Sequence, residues 1–331
     1  MFVKTYESSS YVKYLFEVKD RTTLDDFDEV QYKRLYSGYV GEKQFYERIK
    51  NCGGTKLWDL RLEYQGEVQY DFLVIHDGYL FHFDIKNFAG HYAFIDNNFV
   101  SEQNYVIKDP ISQFKGAHIK LKQFCMKHNL DYKILSYVVF INPDFIVTGF
   151  NGHSHIIFHK DIDRIVNALI KPPNDVDIRA LTTLSKFHKK DSKHERIYYY
   201  PFQDMKKGIK CPSCKNILRS FQNKERRIIC ECGRRVSKQE AVHIAFDTIA
   251  LLKQSHVKTS EIVDFTGIGK TTIKKIMSKN YASIGKTCGK AYIASEHASF
   301  ILKEKHDEYT YKIVWVNNRG TGGDKYLVLT T

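Results

Sequence analysis

Hydrophobic and polar positions change their period several times along the 331 residues. Residues 57–64, 68–75, 79–86 and 92–95 alternate with a period of two and are rich in aromatic and β-branched side chains. Each predicts a strand. Ser37 to Gly54 predicts a helix stopped by Gly53 and Gly54. Asp109 to His128 predicts another, with Asp109 as N-cap and Pro110 in the first turn. Residues 134–141 add an apolar strand. This order, a helix, a run of strands, a second helix and a further strand, predicts an α/β fold with a mixed sheet flanked by helices. Residues 1–37 are mixed and charged, and no element is assigned to them. KPPND (Lys171 to Asp175) reads as a loop before a short helix. Beyond Met205 the pattern shortens, becomes helical over about 238–280, and is β-rich over 290–331, with Asn317 to Asp324 as a loop or hairpin turn.

Charges interrupt the apolar strands at Asp71, Asp84 and Lys86. Asp77-Gly78 between two apolar runs predicts a two-residue hairpin turn. That turn pairs His76 with Tyr79, and therefore Asp71 with Asp84, with Cβ atoms roughly 5 Å apart. Lys86 falls on the same face, while Phe81, Phe83 and Ile85 point into the core. Two opposed carboxylates destabilise a ladder. A divalent cation between them reverses the sign, since hard oxygen ligands suit Mg²⁺. Lys86 would then orient a water or offset phosphoryl charge. Glu42 aligns with Phe45 and Ile49 and so faces the sheet. Gln113 aligns with Ala117 and Leu121 and faces it too.

Charge separates the two halves of the chain. Residues 1–205 hold 27 Lys and Arg against 27 Asp and Glu, and residues 206–331 hold 24 against 11, which accounts for the whole net charge of +13. A basic second half points to a polyanionic partner. Four of the seven cysteines (Cys211, Cys214, Cys230 and Cys232) form C-x₂-C, fifteen residues, C-x-C. This is the spacing of a structural zinc site on two tight turns, one residue short in the second pair, with no position left for water. Around it, Arg226, Arg227, Arg234 and Arg235 suit phosphate contact. Gly269-Lys270-Thr271 resembles the end of a P-loop, but Asp264 stands where the first glycine belongs, so ATP binding is rejected. The same stretch reads as helix-turn-helix, with Thr259 or Ser260 as cap, TGIG as the turn, and Ile273 with Ile276 or Met277 inward. Lys270, Thr271, Thr272, Lys274 and Lys275 would then face DNA. His153, His155 and His159 read as surface histidines, and YYYPF (Tyr198 to Phe202) as packing aromatics. Cys52, Cys125 and Cys288 read as buried or free thiols.

Glu42, Asp71 and Asp84-Ile85-Lys86 resemble the PD-(D/E)xK phosphodiesterase superfamily. GEKQF, VQYDFLVI, FHFDIKNFAGHY and DPISQFKGAHIKL are similar, more narrowly, to the nuclease-related domain NERD over about residues 38–145. The resemblance implies a restriction-endonuclease-like fold with Mg²⁺ or Mn²⁺ bound by Asp71 and Asp84. Glu42 would complete the acidic cluster, Lys86 would position the nucleophilic water, and Gln113 would support the site. Asp84 stands where that family more often has Glu.

The sequence therefore predicts a metal-dependent, endonucleolytic DNA nuclease. Its parts are a nuclease domain (1–205), a zinc-ribbon-like module (206–237) and a helix-turn-helix-like region with a β-rich tail (238–331). A DNA-binding protein that does not cut, and an RNA-directed nuclease, stay open as alternatives. A homodimer stays open too. MFVKTYESSSYVKY has no apolar core of the signal-peptide kind, and no run approaches a membrane span, so a soluble, cytoplasmic protein is expected.

Overall fold

Asp77 and Gly78 both adopt left-handed backbone, with φ of 53° and 79°, as a type I′ hairpin turn requires. The turn sets His76 opposite Tyr79, and the ladder runs on to Phe72 opposite Phe83. This is the turn register that the sequence predicts, but the ladder stops one level short of the expected Asp71–Asp84 pair. The computed structural model in which it is seen describes residues 1–107, 109–222, 224–284, 291–293, 312–317 and 325–330. They fall into two units, Met1–Leu15 with Asp25–Ile197, and Phe16–Leu24 with Tyr198–Thr331.

The first unit opens with β1 (Phe2–Lys4) and the start of α1 (Ser10–Val18). Then come α2 (Asp26–Ile49), β2 (Thr55–Glu63), β3 (Glu67–His76), β4 (Tyr79–Lys86), β5 (Gly90–Ile95), β6 (Asn98–Ser101) and β7 (Val106–Ile107). It closes with α3 (Pro110–Lys127), β8 (Lys133–Phe140), β9 (Phe145–Thr148), β10 (Ile156–Phe158), α4 (Ile162–Ala168) and α5 (Asp175–Ser185). The main sheet has the order β1-β2-β3-β4-β8-β10. Its central pairs β2/β3 and β3/β4 are antiparallel, and β4/β8 and β8/β10 are parallel. It is the mixed sheet that the element order predicts. A smaller sheet, β7-β6-β5-β9, stands beside it.

Helices cover both faces of the main sheet. On one face Phe45 and Ile49 of α2 pack with Phe72, Val74, Phe83 and Ile85. On the other, Leu121 and Phe124 of α3 and Leu181 and Leu184 of α5 pack with Leu57, Leu73, Ile75 and Leu80. Asp109 caps α3, accepting from the backbone N–H of Ile111 and Ser112 at 3.0 and 3.2 Å.

Strict alternation fails at one level of the sheet. Trp58 and Phe72 face α2. Their neighbours two residues on, Leu60 and Tyr70, face α3, where alternation would have kept them on the α2 side. The reversal occurs across Asp59, whose φ of 62° is left-handed within a strand. The β2/β3 ladder omits the level of Asp59 and Asp71.

Three local expectations are corrected. The first long helix begins at Asp26, not near Ser37, because Asp25 caps it by accepting from Asp28 N–H, and Asp26, Asp28 and Glu29 complement its dipole. His155 is half-buried, not a plain surface residue: its Nδ1 lies 2.8 Å from the Ser136 carbonyl oxygen and its ring packs on Phe114 and Tyr137. Tyr198 and Tyr199 are exposed rather than buried.

In the second unit β11 (Arg227–Ile229) and β12 (Arg235–Ser237) form a short hairpin with Ile228 and Val236 inward. There follow α6 (Lys238–Lys253), β13 (Val257–Lys258), α7 (Thr259–Thr266), α8 (Lys270–Asn280), β14 (Ala282–Ile284) and β15 (Ala291–Ile293). The helix α7 begins at Thr259, so neither Thr259 nor Ser260 is its cap. Glu261 instead accepts from Lys258 N–H at 2.7 Å. Ile273 and Met277 of α8 are buried. β16 (Lys312–Asn317) pairs antiparallel with β17 (Lys325–Thr330). Residues 318–324 of the expected turn, and Cys288, lie outside the described residues.

Candidate functional site

The approach of α2 to the end of β4 places Glu42. A Cβ on Gly41 would lie 2.6 Å from the Asn87 Cβ, so only glycine permits this contact. Asn87 secures it by donating to the Ser37 carbonyl at 2.8 Å. Oε2 of Glu42 accepts from the Trp58 indole N–H at 2.7 Å. Burial drives the Glu42 carboxyl up to about 7; Trp58 opposes the rise, Asp59 and Asp84 add to it, and Lys86 opposes it.

Asp71 stands where the β3/β4 ladder ends. Its Oδ2 accepts from Ile85 N–H at 2.7 Å, taking up a donor that the ladder leaves unpaired. Burial, then the charges of Glu42 and Asp84, push its carboxyl well above the usual range. Lys86 Nζ lies 3.0 Å from Oδ2 of Asp84. Burial alone would lower the Lys86 ammonium, but Asp84 and Asp71 outweigh it and hold it charged. Glu42, Asp71, Asp84 and Lys86 thus act on one another. The backbone of Gln113 is in α3, and its side chain lies outside the described residues.

Four neighbours escaped the sequence reading. Trp58 is one. Asp59 is 5% exposed; its Oδ1 accepts from Gln69 Nε2 at 3.1 Å, and its carboxyl is raised by burial. Lys4 donates to the Asp59 carbonyl at 2.6 Å and pairs with its carboxylate. Gln69, with His82, Asp84, Lys86, Phe114 and Lys120, lines a cavity of about 330 Å³. An aspartate inside the apolar run KLWDLRL was the available signal.

The carboxylates supply the hard oxygen donors that Mg²⁺ takes, yet each is turned to its own protein partner. Among the described residues, Cys211, Cys214, Cys230 and Cys232 alone converge as a ready metal site, their sulfurs all within 4.8 Å of one another. The pairs Cys211–Cys232 and Cys214–Cys230 are 3.7 and 3.5 Å apart. Tetrahedral zinc with Zn–S of about 2.3 Å requires sulfurs about 3.8 Å apart, so four cysteines fit that ion.

Arg226, Arg227, Arg234 and Arg235 are exposed, and Arg234 is paired with Glu240 at 2.6 Å. Lys270, Thr271, Thr272, Lys274 and Lys275 are exposed along α8. Among the described residues no helix is long and apolar enough to cross a membrane.

Residues 37–141 match the family model of the nuclease-related domain, NERD. No curated protein and no solved structure matches the chain.

Proposed function

We infer from the nuclease-related domain at residues 37–141 that the chain is a metal-dependent nuclease that hydrolyses phosphodiester bonds of DNA, cutting internally. The observation that carries this reading is the electrostatic coupling of Glu42, Asp71, Asp84 and a charged Lys86, the last two lining an open cavity. Asp71, Asp84 and Glu42 would hold Mg²⁺ or Mn²⁺. When bound, the ion supplies a Lewis acid and acidifies a water. Lys86 presents its ammonium to the attacking water or to the phosphoryl oxygen, where it offsets developing charge. Gln113 supports the site from α3.

The basic second half supplies affinity for the backbone, with a zinc-ribbon-like module over 206–237 and a helix-turn-helix-like region over 238–331. Its contacts would come from Arg226, Arg227, Arg234, Arg235 and the exposed face of α8. Zinc on the four cysteines is structural, since thiolates fill all four positions. Competition among duplex DNA, single strands and RNA, scored for binding and for cleavage, tests the substrate. Preferential cutting of RNA would replace DNA in this account.

The pairing of Lys86 with Asp84 favours a second reading, a DNA-binding protein that does not cut. Cleavage by wild type that is absent from Asp84→Ala rejects it.

A further inference from the structure

Trp58 reaches the acidic cluster from β2, a strand to which the sequence reading assigned no chemistry. Its side chain is enclosed on several sides. It is 5% exposed, and it stacks with Tyr46 and Phe72 at centroid distances of 4.9 and 5.3 Å. Tyr6 and Tyr39 flank it at 5.4 and 6.4 Å. A ring so enclosed has one orientation available, and that orientation points its only donor at Glu42.

The backbone beneath the ring is held as firmly. Lys4 Nζ donates to the carbonyl oxygens of both Trp58 and Asp59, at 3.3 and 2.6 Å. These bonds fix the place where β2 turns through left-handed Asp59 and exchanges its faces. Backbone strain of this kind persists only where the surroundings over-determine it. Here the ammonium of Lys4 and the amide of Gln69 do so. The strain places Trp58 towards α2 and the next residues towards α3.

A hydrogen bond to an ionised carboxylate is short, directional and stronger than a neutral one. With Oε2 engaged by the indole, Oε1 of Glu42 is the oxygen left to face an ion. A glutamate lacking this tether has three side-chain torsions to order on binding.

We propose that Trp58 is a positioning residue for metal binding: its indole N–H orients Glu42 towards the divalent cation, and Lys4 and Asp59 hold the backbone that aims it. The proposal rests on the reading of Glu42, Asp71 and Asp84 as a cation site.

The test is Mn²⁺ binding, followed by electron paramagnetic resonance on the full-length, zinc-loaded protein. Wild type, Trp58→Phe, Glu42→Ala and the double variant are compared. Loss of one charge-assisted hydrogen bond predicts Mn²⁺ affinity about ten-fold weaker in Trp58→Phe. The same substitution should change nothing further in the Glu42→Ala background. Unchanged affinity in Trp58→Phe overturns the proposal, and so does an equal loss in both backgrounds, which would mark Trp58 as structural only. If wild-type binding is indifferent to Asp71→Asn and Asp84→Ala, the cation-site reading itself fails and takes the proposal with it.

A second measurement serves should Trp58→Phe not fold. The chain has two tryptophans, Trp58 and Trp315, so a ¹⁵N spectrum carries two indole signals. The Trp58 indole proton should shift on Mg²⁺ titration in wild type and stay fixed in Glu42→Ala. A signal that ignores bound Mg²⁺ in wild type contradicts the proposal.

Discussion

The sulfurs of Cys211, Cys214, Cys230 and Cys232 lie within 4.8 Å of one another, whereas Glu42, Asp71 and Asp84 each answer to a different protein donor: Trp58, Ile85 and Lys86. The cysteines form a closed set whose geometry is complete without any contribution from solvent or substrate. The carboxylates form an open set: Glu42 and Asp71 are each held at one oxygen, Asp84 faces Lys86 with both, and Asp84 and Lys86 line a cavity. A soft, structural ion suits the first and a hard, exchangeable ion shared with a phosphodiester suits the second. The difference teaches that a converged cysteine set suits a role in folding, while carboxylates held apart by protein donors suit the exchangeable ion that the proposed chemistry requires.

The largest effect should separate the two sites outright. Binding of structural zinc contributes on the order of 10 kcal/mol to small metal-stapled modules. Cys211→Ser should therefore lose zinc and the packing of the β11–β12 hairpin, seen as lost amide protection over residues 206–237. Asp84→Ala should leave that protection intact. The next effect reverses the pattern. Asp84→Ala and Lys86→Ala should each lower cleavage by at least about 10²–10³-fold, while their melting temperatures stay near wild type.

The pH dependence sharpens the contrast further. The Glu42 carboxyl rises from 4.5 unfolded to about 7 folded, so the folded chain binds its proton more tightly. The resulting stability is fully present below pH 4.5 and is lost as pH rises through about 7, on the order of 3 kcal/mol by pH 8. Asp71 is shifted in the same direction. Mg²⁺ offsets this charge repulsion, so it should raise the melting temperature by several degrees at pH 8 and little at pH 6. Without metal at pH 8, Glu42→Gln should melt above wild type.

Gly41→Ala should act on one site only. The added Cβ meets the Asn87 Cβ at 2.6 Å. Overpacking of this kind costs about 1–3 kcal/mol, or roughly 3–10 °C of melting temperature. Cleavage should fall with it and zinc content should not. The smallest effect is expected on α8, where Lys274→Gln should reduce the salt slope of DNA binding by about one with no change in cleavage chemistry.

Much of the first unit was readable in the residues because its signals are local. Asp77-Gly78 determines a turn, and the turn carries the register to Phe72 and Phe83. Glu42 could be placed by its spacing to Phe45 and Ile49, both buried on the sheet-facing side of α2. The first eleven residues of α2 were missed because Asp26 to Tyr36 is largely polar, with Phe27, Val30 and Tyr36 exposed and giving no clear apolar stripe. The edge strand β1 is three residues long, too short for a period. The exchange of faces at Asp59 was hidden for a different reason. It depends on Lys4 and Gln69 arriving from other strands, and alternation alone predicts the opposite faces for Leu60 and Tyr70. Trp58 was missed along with it, since an indole sixteen residues from Glu42 looks like core until both are folded.

Zinc content and DNA cleavage measured on one sample, after brief dialysis against chelator and again after Mg²⁺ is restored, test the account most directly. It predicts that dialysis abolishes cutting of closed circular DNA while one zinc per chain is retained, and that Mg²⁺ alone returns the activity. Cleavage that survives the chelator, or that returns only when zinc is added, would contradict the division into a structural and a catalytic ion site.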